Sequence, residues 1–115
     1  DENCAFAIDA FVYSLLKTIG SYVAVLGGVD ALIFTAGIGE NASLVREKLC
    51  ARLAYLGIEL DGEKNRARPA PAEISAPQTQ SKVKVYVIPA NEELMIASET
   101  FALLDELAET EPLAV

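Results

Sequence analysis

The sequence contains no histidine and no tryptophan, one methionine and two cysteines in 115 residues. With no histidine, and no serine beside another base, a hydrolytic triad cannot be assembled from these residues. Cys4 and Cys50 lie far apart, with neither zinc-ligand spacing nor the look of a secreted disulfide framework. They read as reduced core residues of a cytoplasmic protein. Basic residues are also few. Nine Lys and Arg stand against seventeen Asp and Glu, giving a net charge of −8. Such a balance repels polyanions, which argues against nucleic acid and anionic membranes as partners. A phosphate-bearing ligand would have to be held locally, by backbone N–H groups or through a metal ion. No uninterrupted apolar run reaches the roughly 20 residues that span a bilayer, and no basic leader of a signal peptide is present.

What is there is apolar and punctuated. Hydrophobic residues make up 52% of the chain, enough for a real core. Ile8, Val12, Leu15, Ile19, Tyr22 and Leu26 recur at intervals of four and three, one stripe of a long amphipathic helix over residues 4–26. Gly27 and Gly28 end it. The run Ala31 to Phe34 is too short for a helix between such breakers and suits a strand buried on both faces. A glycine loop follows at 36–40. Asn41 is placed to cap a helix over 42–56 whose inner face is Val45, Leu49, Leu53 and Leu56, and Gly57 stops it in a left-handed conformation. "IELD" suggests a further short strand. Residues 61–82 are polar, hold Pro69, Pro71 and Pro77, and read as a surface loop. "VKVYVI" at 83–88 is a β-branched strand ended by Pro89. Asn91 then caps a helix over 92–107 with Leu94, Ala97, Phe101 and Leu104 inward, followed by a fraying acidic tail. The opening "DENCAFAIDAFVY" enters a helical pattern at once and without an initiating Met, as in a piece of a longer chain.

Strands alternating with helices imply a parallel sheet joined by a right-handed crossover, an α/β fold. In such sheets ligands bind beyond the carboxyl ends of the strands. Both strands end in suggestive loops, "TAGIGEN" and "PANEE". In the first, Gly37 and Gly39 let a ligand approach the main chain, and the next helix offers free N–H groups to a phosphate. A plain strand-to-helix turn would read the same way. The loop is not a dinucleotide fingerprint, for want of a third glycine, nor a P-loop, for want of Gly-Lys-Ser/Thr. In the second, Glu92 and Glu93 suit the positive start of a helix. The second reading is magnesium, which often takes one carboxylate, directly or through water, with nucleotide phosphates and water completing its shell. Adjacent helical residues point about 100° apart, so one of the two faces a cleft. Asp30, at the opposite end of the strand, reads as solvated, and the four tyrosines read as core.

The stretches "GGVDALIFTAGIGENASLVRE", "LGIELDGEKN" and "VIPANEELMIASET", in this order over about residues 6–101, closely resemble the C-terminal part of the acetate kinase family. The resemblance implies reversible transfer of the γ-phosphoryl group of ATP to acetate with Mg²⁺. It implies the ribonuclease-H-like fold of actin and hexokinase, of which this chain is the C-terminal part of the second domain, with parallel strands and long flanking helices. It also implies a cytoplasmic homodimer. By resemblance Gly37, Ile38, Gly39, Glu40 and Asn41 contact the nucleotide and Glu92 is the magnesium-associated carboxylate. Two departures are mild: Ala90 stands where the family usually has Thr, and "ASET" where it often has "ARDT". The family's acyl pocket, its phosphate-gripping arginine and histidines, and an asparagine that helps hold the metal have no counterpart in these residues. The isolated chain is therefore expected to be inactive. The fold type also begins with three antiparallel strands that pair with the first strand here, so an open sheet edge and self-association are expected. Propionate kinase is the alternative of the same chemistry, and a non-catalytic dimerisation or scaffold module the alternative of another class.

Overall fold

Two apolar runs between chain breakers become the expected strands. Residues 31–34 (β1, Ala31–Phe34) and residues 84–87 (β3, Lys84–Val87) pair in parallel, Leu32 beside Val85 and Phe34 beside Val87. The ladder extends past both strands, since the Lys84 amide donates to Asp30 O at 3.0 Å and the Ile88 amide to Phe34 O at 2.9 Å. The carboxyl ends of β1 and β3 are thus held level. The computed structural model describes residues 2–67 and 71–110. The tail expected to fray beyond Thr110, and Pro69 in the expected loop, lie outside these described residues.

Helix α1 (Glu2–Leu26) lays Val12 into the core, flanked by Ile8, Leu15, Leu16 and Ile19. The stripe stops there: Tyr22 and Leu26 are exposed, because the helix outruns the short sheet beneath it. By length and composition α1 is also long and apolar enough to cross a membrane. The rule of an uninterrupted run missed this, because scattered polar residues break the run without lowering the mean hydropathy much. One stripe of it packs on the core and its Asp9 pairs with Lys48, while Val12 is its one buried residue among those described.

The expected helix over 42–56 is shorter and jointed: α3 (Ser43–Arg52) runs into a 3₁₀ turn (Ala54–Leu56). Its inner face is the expected one, with Val45, Leu49 and Leu53 buried. Gly57 ends it at φ +83°, where a side chain would be strained. Full burial of each such leucine or valine stabilises the fold by roughly 1.5–3 kcal/mol.

Several expectations are corrected. The glycine loop is a helix, α2 (Ala36–Asn41), so Asn41 closes α2 and does not cap α3, whose N-cap is Ala42. The polar stretch 61–82 is more than surface loop. It holds α4 (Gly62–Arg66) and β2 (Ala72–Glu73), which pairs antiparallel with β3 to give the sheet order β1-β3-β2. It also buries Asn65, Ile74, Ser75, Ala76 and Ser81. "IELD" contributes only a bridge between Leu60 and Ser75. Finally, the sheet is covered on one face only. Leu32, Phe34, Val85 and Val87 meet the α1 and α3 side, while Ile33 is 54% exposed on the other. Helix α5 (Glu92–Thr110) leaves Leu94, Ala97, Phe101 and Leu104 in solvent, and every one of its residues is exposed.

Candidate functional site

The two strand ends deliver two loops to one place. Beyond β1, Ala36 adopts φ +61°, and beyond β3, Asn91 adopts φ +47°. The left-handed region disfavours alanine and tolerates asparagine. Two such residues at adjacent strand ends mark backbone held by its surroundings. Asn91 starts α5 through its main chain, its carbonyl accepting from the amides of Leu94 at 3.1 Å and Met95 at 3.3 Å.

Between the loops lies an open cleft of about 470 Å³, lined by Ala36, Gly37, Glu40 and the run from Ala90 to Leu94. The loops touch directly: the Ala90 amide donates to Glu40 Oε1 at 3.1 Å. Because the donor is main chain, alanine in place of threonine at position 90 leaves this bond intact.

The expected site residues divide. Gly37, Glu40 and Glu92 line the cleft, and Glu93 lines it beside them. Ile38, Gly39 and Asn41 do not. Gly39 serves the fold, since a Cβ there would lie 3.1 Å from the main-chain carbon of Phe34. Asn41 is turned back into its own helix, its Nδ2 donating to Gly37 O at 2.9 Å. Gly37 is the opposite case: a Cβ there would meet nothing within 4 Å. Neither packing nor a positive φ explains glycine at 37, and the cleft it borders is the remaining reason for an unobstructed main chain.

Two residues near this site carried no signal in the sequence. Arg46, 1% exposed, and Asn65, 1% exposed, form a hydrogen-bonded pair joining α2 to α4. No periodicity or spacing links residues nineteen apart on different helices. Only the burial of a charged side chain inside α3 singles Arg46 out.

The cleft is acidic, with Glu40, Glu92 and Glu93 in its wall and, among the described residues, no lysine or arginine. An anion entering alone would be repelled, whereas a divalent cation bridging carboxylate and phosphate oxygens would be attracted. Among the described residues no three acidic, histidine or cysteine side chains converge as a self-sufficient metal centre. The donor set fits an ion that draws most of its ligands from a nucleotide and water, as Mg²⁺ does.

Residues 1–98 match the Acetokinase family. The acetate kinase of Carboxydothermus hydrogenoformans is 51% identical over 104 residues, covering 90% of this chain and 26% of that protein. Among solved structures, Porphyromonas gingivalis acetate kinase superposes with a TM-score of 0.76 at 42% identity, covering 90% of this chain and 26% of the other. A propionate kinase from Francisella tularensis superposes with a TM-score of 0.73 at 38% identity, covering 86% of this chain and 24% of the other. The chain thus spans about a quarter of the length of these relatives. With its family profile, its α/β fold and the meeting of its two strand-end loops in agreement, the chain belongs to the acetokinase family.

Proposed function

We propose that these residues form the nucleotide side of an acetate kinase that transfers the γ-phosphoryl group of ATP reversibly to acetate, giving acetyl phosphate and ADP. The observation that carries this reading is the hydrogen bond from Ala90 to Glu40, which makes "GIGEN" and "NEE" one site. Gly37 opens the main chain to the nucleotide, Glu40 lines the cleft beside it, and Ile38, Gly39 and Asn41 complete helix α2 behind them. Glu92 would hold Mg²⁺ together with the phosphates, and the ion, when bound, neutralises charge on the phosphoryl group being transferred. The acidic wall makes nucleotide binding dependent on that ion.

The chain is then the C-terminal part of a second ribonuclease-H-like domain. Parallel β1 and β3, with α1 and α3 on one face, are consistent with that fold. Its open β1 edge is where further strands would pair, and a cytoplasmic homodimer is the proposed assembly. Propionate kinase is the second reading, favoured by the Francisella structure. The acyl group would bind outside these residues, so both readings share the site described.

The test uses a full-length acetate kinase carrying these residues in the matching quarter. Glu92→Gln should raise the Mg²⁺ concentration for half-maximal activity by about tenfold, the effect of losing one charged ligand. An unchanged Mg²⁺ requirement, or equal turnover without any divalent ion, would overturn the reading.

A further inference from the structure

Helix α2 is six residues long and buries none of them. Helices this short are marginal alone, and the carbonyls of the last turn need partners from elsewhere. Ile38 O accepts from the Ala42 amide at 2.9 Å, and Gly37 O from Asn41 Nδ2 at 2.9 Å. Gly39 O and Glu40 O both accept from a single group, Nη1 of Arg46, at 2.8 and 3.0 Å.

The same guanidinium turns its other donors to Asn65. Nε donates to Oδ1 at 2.7 Å and Nη2 to the main-chain oxygen at 2.8 Å. Asn65 is fixed in turn: its Nδ2 donates to Ser43 O at 3.0 Å, and its amide to Asp61 O at 2.9 Å. Asp61 caps α4, its Oδ1 accepting from the amides of Glu63 and Lys64. Among the described residues no carboxylate is a hydrogen-bond partner of Arg46. Burial pushes its proton affinity down, with the nearby Cys50 opposing. A buried cation compensated only by carbonyls is expensive, and four charge-assisted hydrogen bonds in a fixed fork are what offset it.

We propose that Arg46 and Asn65 are positioning residues for the nucleotide loop: Asn65 orients the Arg46 fork, the fork fixes the last carbonyls of α2, and the fixed main chain of Glu40 aims its carboxylate at the Ala90 amide. The width of the cleft is thereby set from α4, in a segment whose composition reads as surface loop. This rests on the nucleotide reading of the cleft, and the experiment separates the two.

In the full-length chimera described above, Asn65→Ala removes the orienting amide, and Arg46→Lys keeps the charge while losing the fork. Each should raise the KM for MgATP about tenfold, as expected for losing hydrogen bonds to a charged group. The KM for the acyl substrate should change less than about twofold, because the perturbation stays on the nucleotide side. Asn65→Asp keeps an acceptor for Nε and should rescue most of the loss. Ile74→Ala, a buried variant outside the clamp, should lower the melting temperature and leave both KM values alone. Hydrogen exchange at the Ala42 amide should accelerate in Asn65→Ala with or without nucleotide. A nucleotide KM unmoved in Asn65→Ala and Arg46→Lys, a parallel rise in both KM values, or the same split in Ile74→Ala would overturn the clamp. If instead Ala42 loses protection while neither Glu92→Gln nor Asn65→Ala affects nucleotide binding, the nucleotide reading fails, and the positioning role with it.

Discussion

The carboxylate of Glu40 accepts a hydrogen bond from the amide of Ala90 at 3.1 Å, across 50 residues of sequence. Glu40 is therefore a bridge between the two loops before it is a ligand for anything. Glu40→Gln keeps a carbonyl oxygen in place and should bind MgATP within about threefold of the parent. Glu40→Ala removes the acceptor and should weaken binding by about tenfold. Nucleotide titration of the full-length chimera checks the order of the two variants. Equal affinities would mean that the bridge does not matter to the cleft.

The two glycines of α2 should respond oppositely to alanine. Gly39→Ala sets a methyl against the Phe34 main chain and should destabilise the fold by about 1–3 kcal/mol, as overpacking does. Gly37→Ala meets open space and gains up to about 1 kcal/mol of helix propensity, so its effect should fall on nucleotide affinity. Urea denaturation and nucleotide titration, run on both variants, separate the two roles.

How much of this was legible in the sequence depends on how local the cause is. β1 and β3, the buried face of α3 and the left-handed Gly57 follow from short-range patterns, and the structure has them. Alternating strands and helices also placed both loops at one sheet edge. Burial of β1 on both faces and of Leu94 and Phe101 in α5 failed for a different reason. An apolar stripe states that a surface wants cover, and the covering surface is not among these residues. Residues 61–82 were misread because prolines and charges outnumber the few side chains, Asn65, Ile74 and Ser81 among them, that are turned inward. Asn41 was misread because two glycines disguise a helical turn as a loop. The Arg46–Asn65 clamp had no local signature at all.

Cys50 gives a pH prediction. Burial raises its thiol pKa from 9.0 to about 12 in the folded protein, with Arg46 opposing. The unfolded chain therefore releases this proton first as pH rises. The stability it contributes is fully present below pH 9 and is lost between 9 and about 12, at roughly 1.4 kcal/mol for each pH unit. Cys50→Ala should be less stable than the parent at pH 8, through the cavity it leaves, and should lose stability less steeply above pH 9. Urea midpoints of both proteins at several pH values measure the difference. Parallel slopes would show that the thiol does not ionise as described.

The chain expressed alone should transfer no phosphoryl group, because among the described residues the cleft supplies carboxylates and no cationic side chain to stabilise the transition state. It should also self-associate. The bare sheet face around Ile33 and Ile88, and the flank of α5 bearing Leu94, Phe101 and Leu104, present large apolar surface to water. Light scattering across a concentration series checks the second expectation and a coupled phosphotransfer assay the first. A monodisperse monomer at high concentration, or turnover near that of a full-length acetate kinase, would refute the respective statement.

Glu92 is the first residue of a helix that buries nothing along its whole length. The acidic wall of the cleft thus stands at the root of a mast without stays, steadied only at its foot. Whatever surface comes to rest against Leu94, Phe101 and Leu104 acts as the missing rigging. A substitution on that flank, far from any ligand, would be felt at the carboxylate as a change of heading.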